Sequence, residues 1–427
     1  MITILVKNVG PIKDATLDLK KINILIGQQS TGKSTLAKIA CYCSWVEKEI
    51  CITQSAGEFN KEDYFERNLT EFHKLNGYIT NKSVISYKSD VLSFQFLKNK
   101  FSFEWSENRL SYRRRKTLYI PAERNLISNI PNWFEVNLGK NSTRSFLVEW
   151  EKVRRYFSKV NPLSLLDLAS YYHNQQDGSD HIITKEGKDI FLANSSSGLQ
   201  SMAPLQALVK YYGETYYKEG LRWKESNVGQ QRKYANLYKS IYKQLIEKLS
   251  NDEKNEWEAR KVQVSNTENL FLKEQLLLYP NEEIENKHAI LVTNIQYPHS
   301  TAFFIEEPEL NLYPITQYNL VNNLIELINK RSHSIFITTH SPYILTSLNN
   351  LIFAGEKGKQ NPGAVGKIIP KTRWIKRTDV SAWKINAETN ALENLLDDEI
   401  AMLKAEEIDD VSHIINKEFD SLFDIER

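Results

Sequence analysis

The sequence has little cysteine, no excess of charge of either sign and no long apolar run. Lys and Arg total 55 against 53 Asp and Glu in 427 residues, a net charge of +2. That balance makes no global electrostatic case for nucleic acid, so any such binding would need a local patch. No stretch reaches the ~18 consecutive apolar residues of a membrane span, and no membrane association is expected. The opening segment Met1–Lys7 reads as a strand. It lacks the basic region, apolar stretch and small-residue cleavage site of a secretory signal, so a cytoplasmic chain is expected. The three cysteines, Cys41, Cys43 and Cys51, are odd in number and fall on one expected helix. They suit a reducing compartment better than a disulfide scaffold. As a metal site they are poorly spaced, because i and i+2 point to different helix faces and no His lies near. What remains, 41% hydrophobic and 25% charged residues, is an ordinary globular composition in a chain long enough to bury a sizeable core.

The strongest signal comes early. Lys21–Ile26 is a short apolar run of strand type. Gly27-Gln28-Gln29-Ser30-Thr31-Gly32-Lys33-Ser34 follows and fits G-x-x-x-x-G-K-[ST] at every fixed position. Thr35–Ala40 then opens a helix. Strand, loop and helix are the context that makes this pattern a phosphate site. The glycines let backbone N–H groups turn inward around an anion, and the helix N-terminus adds partial positive charge. Lys33 is expected to reach the outer phosphates and the Ser34 hydroxyl to ligate Mg2+, with Gly27–Thr35 as the ATP cradle.

Two later strands carry acids and a histidine. Thr301–Ile305 ends in Glu306-Glu307-Pro308-Glu309. A buried strand that delivers acids at its carboxyl end is where an α/β sheet places a metal-bound nucleotide. By position Glu306 is the Mg2+-side carboxylate and Glu307 the general base that polarises water. Ser334–Thr339 is the other strand and ends in His340-Ser341-Pro342. Between these motifs and the phosphate loop lies Asn194-Ser195-Ser196-Ser197-Gly198-Leu199-Gln200-Ser201, a Ser-rich turn after an expected hairpin (His181–Thr184, Asp189–Ala193) and before an apolar helix. Thr117–Ile120 is a further strand and runs into Pro121-Ala122-Glu123-Arg124.

The phosphate loop, "SSG-x-Q", "EEPE" and "ITTHSPYIL" occur in an order that resembles ATP-binding-cassette heads of the RecF/SMC and OLD (overcoming-lysogenisation-defect) type. The N-terminal Asn8–Ile12 turn and the "IPAER" strand end are similar to that group too. The resemblance implies an α/β P-loop head in which Ser196, Ser197 and Gly198 close over the γ-phosphate held by a partner subunit, so a homodimer or higher homo-oligomer. It implies that His340 senses the γ-phosphate and that Glu309–Pro314 is a dimer contact. Relatives usually show "EPEAHLHP" there; Asn311 and Tyr313 replace the two histidines, and no role is carried over to them. Arg124 faces phosphates or partner, or serves the fold. Gln95 is a weak candidate for the family's glutamine loop. Stand-alone proteins of this kind resemble the ATPase half of bacterial anti-phage modules, which implies a separately encoded nuclease or toxin as partner. A RecF-like DNA-repair ATPase and a slow nucleotide-dependent scaffold are the alternatives.

The expected organisation is an N-terminal part of the head over 1–205, a helical insertion over 206–290, the acidic and histidine strands over 291–350, and an α+β tail over 351–427 packed on the head. Residues 52–116 read as a peripheral α+β lobe with a helix near 60–75. Tyr112–Lys116 is a basic cluster, either a solvated turn or a phosphate-backbone contact. Arg144–Val160 and Leu163–His173 read as amphipathic helices. Tyr211, Tyr212, Tyr216, Tyr217, Tyr234, Tyr238 and Tyr242 recur at partly helical spacing without sustained heptads, which excludes a long coiled-coil rod. In the tail, strands are expected at Gly366–Ile369 and Thr372–Lys376, and helices at Glu388–Glu399 and Ile408–Phe423. Leu351–Glu356 is similar to the first strand of a TOPRIM nuclease. No later strand ends in the Asp-x-Asp pair that such a nuclease needs, so no intrinsic nuclease is expected.

Overall fold

Alternating apolar residues open the chain as a hairpin, β1 (Ile2–Val9) paired antiparallel with β2 (Ile12–Leu19). In the computed structural model, which describes residues 2–130, 133–218, 228–265, 279–396, 402–404, 416–418 and 421, this hairpin leads into β3 (Ile22–Gly27). Five of its six residues are buried, the two-sided burial of a central parallel strand. The phosphate-loop helix follows over Lys33–Thr53 and carries all three cysteines as buried free thiols. The peripheral lobe holds a helix at Tyr64–His73 and the strands β4 (Val84–Lys88), β5 (Leu92–Leu97) and β6 (Lys100–Trp105). These join the hairpin in one antiparallel sheet ordered β2-β1-β4-β5-β6.

The central sheet recruits strands from the whole length of the chain. Its order is β15-β14-β3-β13-β12-β7, with β7 at Arg115–Ile120, β12 at Ser300–Glu306, β13 at Ser334–Thr339, β14 at Val380–Ile385 and β15 at Leu392–Asn394. Every pairing from β14 to β7 is parallel. All their carboxyl ends therefore lie on one edge. The fold is α/β, with β13 between the phosphate-loop strand and the acidic strand.

Residues 163–173 correct the sequence reading. They form β8 (Leu163–Leu165) and β9 (Ala169–His173), which pair with β10 (Asp180–Thr184) and β11 (Asp189–Phe191) in a separate four-stranded sheet, where a helix was expected. Leu163 and Leu165 are buried at a spacing of two, and Leu166 and Asp167 turn the chain at φ of +53° and +58°. The preceding helix covers only Ser142–Arg154. Its cap is Asn141, and it buries Phe146, Leu147, Trp150 and Val153.

The tail corrects it again. Gly366–Ile369 belongs to a helix at Pro362–Ile368, started by Asn361 as cap and Pro362 in the first turn. Thr372–Lys376 overlaps a 3-10 turn at Lys371–Arg373. Leu351–Glu356 lies inside the helix Pro342–Lys357. Within Glu388–Glu399 the described residues form a turn and β15. Ile408–Phe423 lies outside the described residues except for 416–418 and 421, which are helical. The unexpected element is β14, which pairs Val380–Ile385 with Ile22–Gly27 and so flanks the phosphate-loop strand.

Helices at Val228–Glu247, Asn251–Ser265 and Glu282–Gln296 lie within or overlap residues 206–290. The helix that follows the Ser-rich turn, Ser197–Lys210, continues through a π-helical turn at Tyr211–Thr215. Tyr212 and Tyr216 are fully buried there. The turn docks on the start of the acidic strand. The Thr301 hydroxyl donates to Tyr212 O at 2.7 Å, and the Thr301 N–H donates to His333 Nδ1 at 3.0 Å. His333 Nε2 donates to Gly213 O at 2.9 Å. Both ring nitrogens are thus committed to a neutral imidazole, and burial holds His333 down at about 4.

A histidine whose folded pKa is depressed takes up its proton preferentially in the unfolded chain. His333 therefore contributes its full stability above about pH 6.5 and loses it as pH falls towards 4, roughly 3 kcal/mol across that window. His73, held at about 3 by burial, acts in the same direction. Urea midpoints measured from pH 7 to pH 4.5 should fall monotonically, and His333→Gln should flatten the slope.

Candidate functional site

The parallel register gathers four loops at the carboxyl edge of the central sheet: Gly27–Ser34 after β3, Pro121–Arg124 after β7, Glu306–Glu309 after β12 and His340–Pro342 after β13. This is where open α/β sheets bind ligands. Gly27, Ser30 and Gly32 stand at φ of +155°, +63° and +104°. A Cβ on Gly32 would lie 2.5 Å from Ile12 Cδ1, so the hairpin packs where only glycine fits. The helix that starts at Lys33 has no side-chain cap and no acid in its first turn. Its N-terminal N–H groups and positive dipole end are left for an anion. Lys33 Nζ folds back on Gly27 O at 2.8 Å and Gln28 O at 2.7 Å. Burial lowers its ammonium to about 8, against the upward pull of Glu307 and Glu309.

The acidic turn divides its work among three carboxylates. Glu306 is 5% exposed, Tyr119 is its polar neighbour, and its Oε1 makes no hydrogen bond of normal geometry among the described residues. A buried oxygen left in that state costs free energy that a cation or its water would recover. Glu307 is half-exposed, stands at a left-handed φ of +43° and lies 3.3 Å from His340 Nε2 through its Oε1. A non-glycine residue held there stores roughly 1–3 kcal/mol of strain, a cost met at sites where orientation matters. Glu309 had no individual role in the sequence reading. Its Oε1 accepts from the Thr339 hydroxyl at 2.6 Å and from the His340 N–H at 2.7 Å. Glu309 thereby fixes the backbone that carries the histidine. The third acid of "EEPE", one Pro beyond the pair, was the available signal.

Arg124 serves the fold of the site. It is fully buried and meets five carbonyl oxygens: Pro121 at 3.3 Å, Ser201 at 3.1 Å, Glu306 at 2.9 Å, Glu307 at 2.7 Å and Pro308 at 3.2 Å. Burial lowers the guanidinium to about 10, opposed by the field of the nearby glutamates, so it remains charged at neutral pH. One cation thus ties the acidic turn to the helix of the Ser-rich motif.

Lys33, Glu306, Glu307 and His340 are brought together. Ser196, Ser197 and Gly198 lie at the start of the helix Ser197–Lys210, beside the loop that follows the acids. Ser196 caps its own helix by accepting from Leu199 N at 3.4 Å. A Cβ on Gly198 would meet Asn311 O at 2.8 Å, so the Ser-rich turn packs directly on the loop after the acids. Gln95 sits mid-strand in the antiparallel sheet, between Ser86 and Ser102. In the basic cluster, Arg114 donates to Gln296 O and Tyr234 OH, and Lys116 pairs with Glu149 at 3.1 Å. These two are structural, whereas Arg113 and Arg115 are exposed.

Residues 289–346, which include β12, β13, both adjacent acids and His340, match a family described as "AAA domain, putative AbiEii toxin, Type IV TA system". No curated protein matches the chain. Among solved structures, the SMC head domain from Thermotoga maritima is similar at 9% identity over 81% of this chain and 90% of that one, with a TM-score of 0.31. The recombination mediator RecF, in a RecF-ATPrS structure, is similar at 10% identity over 92% and 97%, with a TM-score of 0.28. An Smc head with an extended coiled coil, bound to the C-terminal domain of ScpA and derived from Pyrococcus furiosus, is similar at 9% identity over 97% and 100%, with a TM-score of 0.28.

Lysine in place of Arg124 keeps the charge but offers at most three donors to five carbonyls. Arg124→Lys is expected to cost about 2–4 kcal/mol of stability and to slow any hydrolysis about tenfold or more, because buried acceptors lose partners and the acidic turn loses its brace. Any nucleotide affinity should change about threefold at most, because the partners of Arg124 lie outside the Gly27–Ser34 loop. Chemical denaturation, phosphate release and equilibrium nucleotide binding read the three effects separately.

Proposed function

We propose that this chain binds and hydrolyses ATP as a cassette-type ATPase whose two copies sandwich two nucleotides. The observation that carries the reading is the convergence at one sheet edge of an uncapped helix N-terminus with Lys33, a buried Glu306 oxygen that makes no hydrogen bond of normal geometry among the described residues, and the Glu307–His340 pair. The backbone N–H groups of Gly27–Thr35 and Lys33 bind and orient the phosphates. The Ser34 hydroxyl and Glu306 are the hard oxygen donors that Mg2+ prefers, and they fit it. When bound, Mg2+ neutralises phosphate charge and polarises the bond to be broken. Glu307 takes the proton of the attacking water, and His340, held by Glu309, is placed beside it to read the terminal phosphate.

The dimer rests on what lies beside the site. Ser196–Gly198 and Asn311–Leu312 pack against each other, so one chain presents both motifs together to a partner. Tyr313, Ile315, Tyr318 and Tyr343 leave an exposed apolar group around the acidic and histidine loops. Apolar side chains grouped in this way favour a covering surface. On the resemblance of its motifs to OLD-like modules, the proposed dimer holds or releases a separately encoded nuclease or toxin during phage infection.

Glu307→Gln should trap the assembled state. Light scattering of this variant is expected to show a mass increase with ATP·Mg2+ and none without, while phosphate release occurs only in the unmutated protein. Lys33→Ala should abolish both. Turnover that persists in Glu307→Gln, or a mass independent of nucleotide, contradicts the reading.

A further inference from the structure

The loop that carries His340 is braced from two sides, and the second brace comes from another helix. Gln317 lies near the start of the helix Pro314–Asn329 and is 8% exposed. Its amide reaches two loops at once. Nε2 donates to Leu312 O at 2.8 Å, and Oε1 accepts from the Ser341 hydroxyl. The partners fix this orientation. A carbonyl oxygen can only accept, so the NH2 group faces Leu312, and the hydroxyl then supplies the proton to Oε1.

Both ends of this bridge continue. On one side, the Ser341 N–H donates to the Thr339 hydroxyl at 3.0 Å, and that hydroxyl donates in turn to Glu309 Oε1. Thr339 and Ser341 are buried. On the other side, the Leu312 N–H donates to Glu309 O at 2.9 Å. Asn311, before Leu312, stands at a left-handed φ of +61° with its carbonyl against Gly198. Tyr313, after it, is 76% exposed. Glu309 and Gln317 therefore sit at the two ends of the surface turn Asn311–Tyr313, and each also holds the histidine loop.

We propose that Gln317 is a positioning residue that makes the placement of His340 follow the turn Asn311–Tyr313. The inference rests on the reading of that turn as a surface covered by a second copy. A loop attached at one point, Glu309, pivots about it. The Gln317–Ser341 bond adds a second point, so turn and loop move as one body. A partner seated on Tyr313 then acts on His340, which lies 3.3 Å from Glu307. A purely local role for Gln317, satisfying Leu312 O beside a helix start, would lower stability and leave His340 independent of the turn.

Two measurements on the full-length protein test this. The first needs no nucleotide. A Cβ at position 198 would lie 2.8 Å from Asn311 O, so Gly198→Ala displaces the turn. Amide exchange at 338–341 should then rise about threefold or more, but less than about 1.5-fold when Gly198→Ala is added to Gln317→Met. The second is kinetic. Gln317→Met should lower kcat about tenfold or more, with KM for ATP and the nucleotide-dependent mass increase of its Glu307→Gln form each within about twofold. Gln317→Glu, which keeps an acceptor for Ser341 and loses the donor to Leu312 O, should behave alike. A chain that shows the exchange coupling but neither assembles with ATP nor hydrolyses it contradicts the proposed function and leaves the coupling standing. An unchanged kcat in both Gln317 variants of an active protein, assembly lost in parallel with kcat, or exchange at 338–341 that responds to Gly198→Ala whatever stands at 317 overturns the proposal.

Discussion

One buried cation organises the functional edge. Arg124 spends its donors on main-chain carbonyls at both ends of the problem, the turn of Glu306–Pro308 and the helix of the Ser-rich motif at Ser201. A guanidinium removed from water is tolerated only when its hydrogen bonds are made, and here carbonyl dipoles make them while the glutamates supply the field. The consequence is geometric. Glu307 is held in a left-handed conformation that its own backbone disfavours, and the surrounding contacts over-determine it. The same contacts make the Ser-rich helix and the acidic turn one rigid unit.

The second constraint is the parallel sheet. Its strands come from residues 22–27, 115–120, 300–306, 334–339 and 380–385. Parallel pairing is what turns so dispersed a set of loops into one edge, because every carboxyl end must face the same way. It also gives each loop at that edge a counterpart at the opposite edge. The His333–Thr301–Gly213 hydrogen bonds lie at that far end, where the π-helical turn grips the acidic strand.

Much of this was legible in the sequence, and the reasons for success and failure are physical. The phosphate loop, the acidic strand and the histidine strand announce themselves because short buried strands with polar ends have few alternatives. Leu163–His173 was misread because Leu and Tyr fit either period, and the two left-handed residues that make the turn, Leu166 and Asp167, carry no glycine to mark it. β14 was missed because Val380–Ile385 is short, and its place beside β3 is fixed by long-range pairing that no local pattern encodes. The role of Arg124 is open in the sequence, because a guanidinium that binds phosphate and one that binds carbonyls look alike until burial is known. Glu309 was similarly hidden among adjacent acids.

The proposed function requires dispersed segments to form one nucleotide site, with a further segment supplied by a second copy. Hydrogen–deuterium exchange of the full-length protein with and without ATP·Mg2+ tests it most directly. A composite site gives protection at residues 27–35, 121–124, 306–309 and 338–341 together. It also gives protection at 196–201 that weakens on dilution of the protein. Protection confined to 27–35, or protection of 196–201 that is independent of protein concentration, would contradict it.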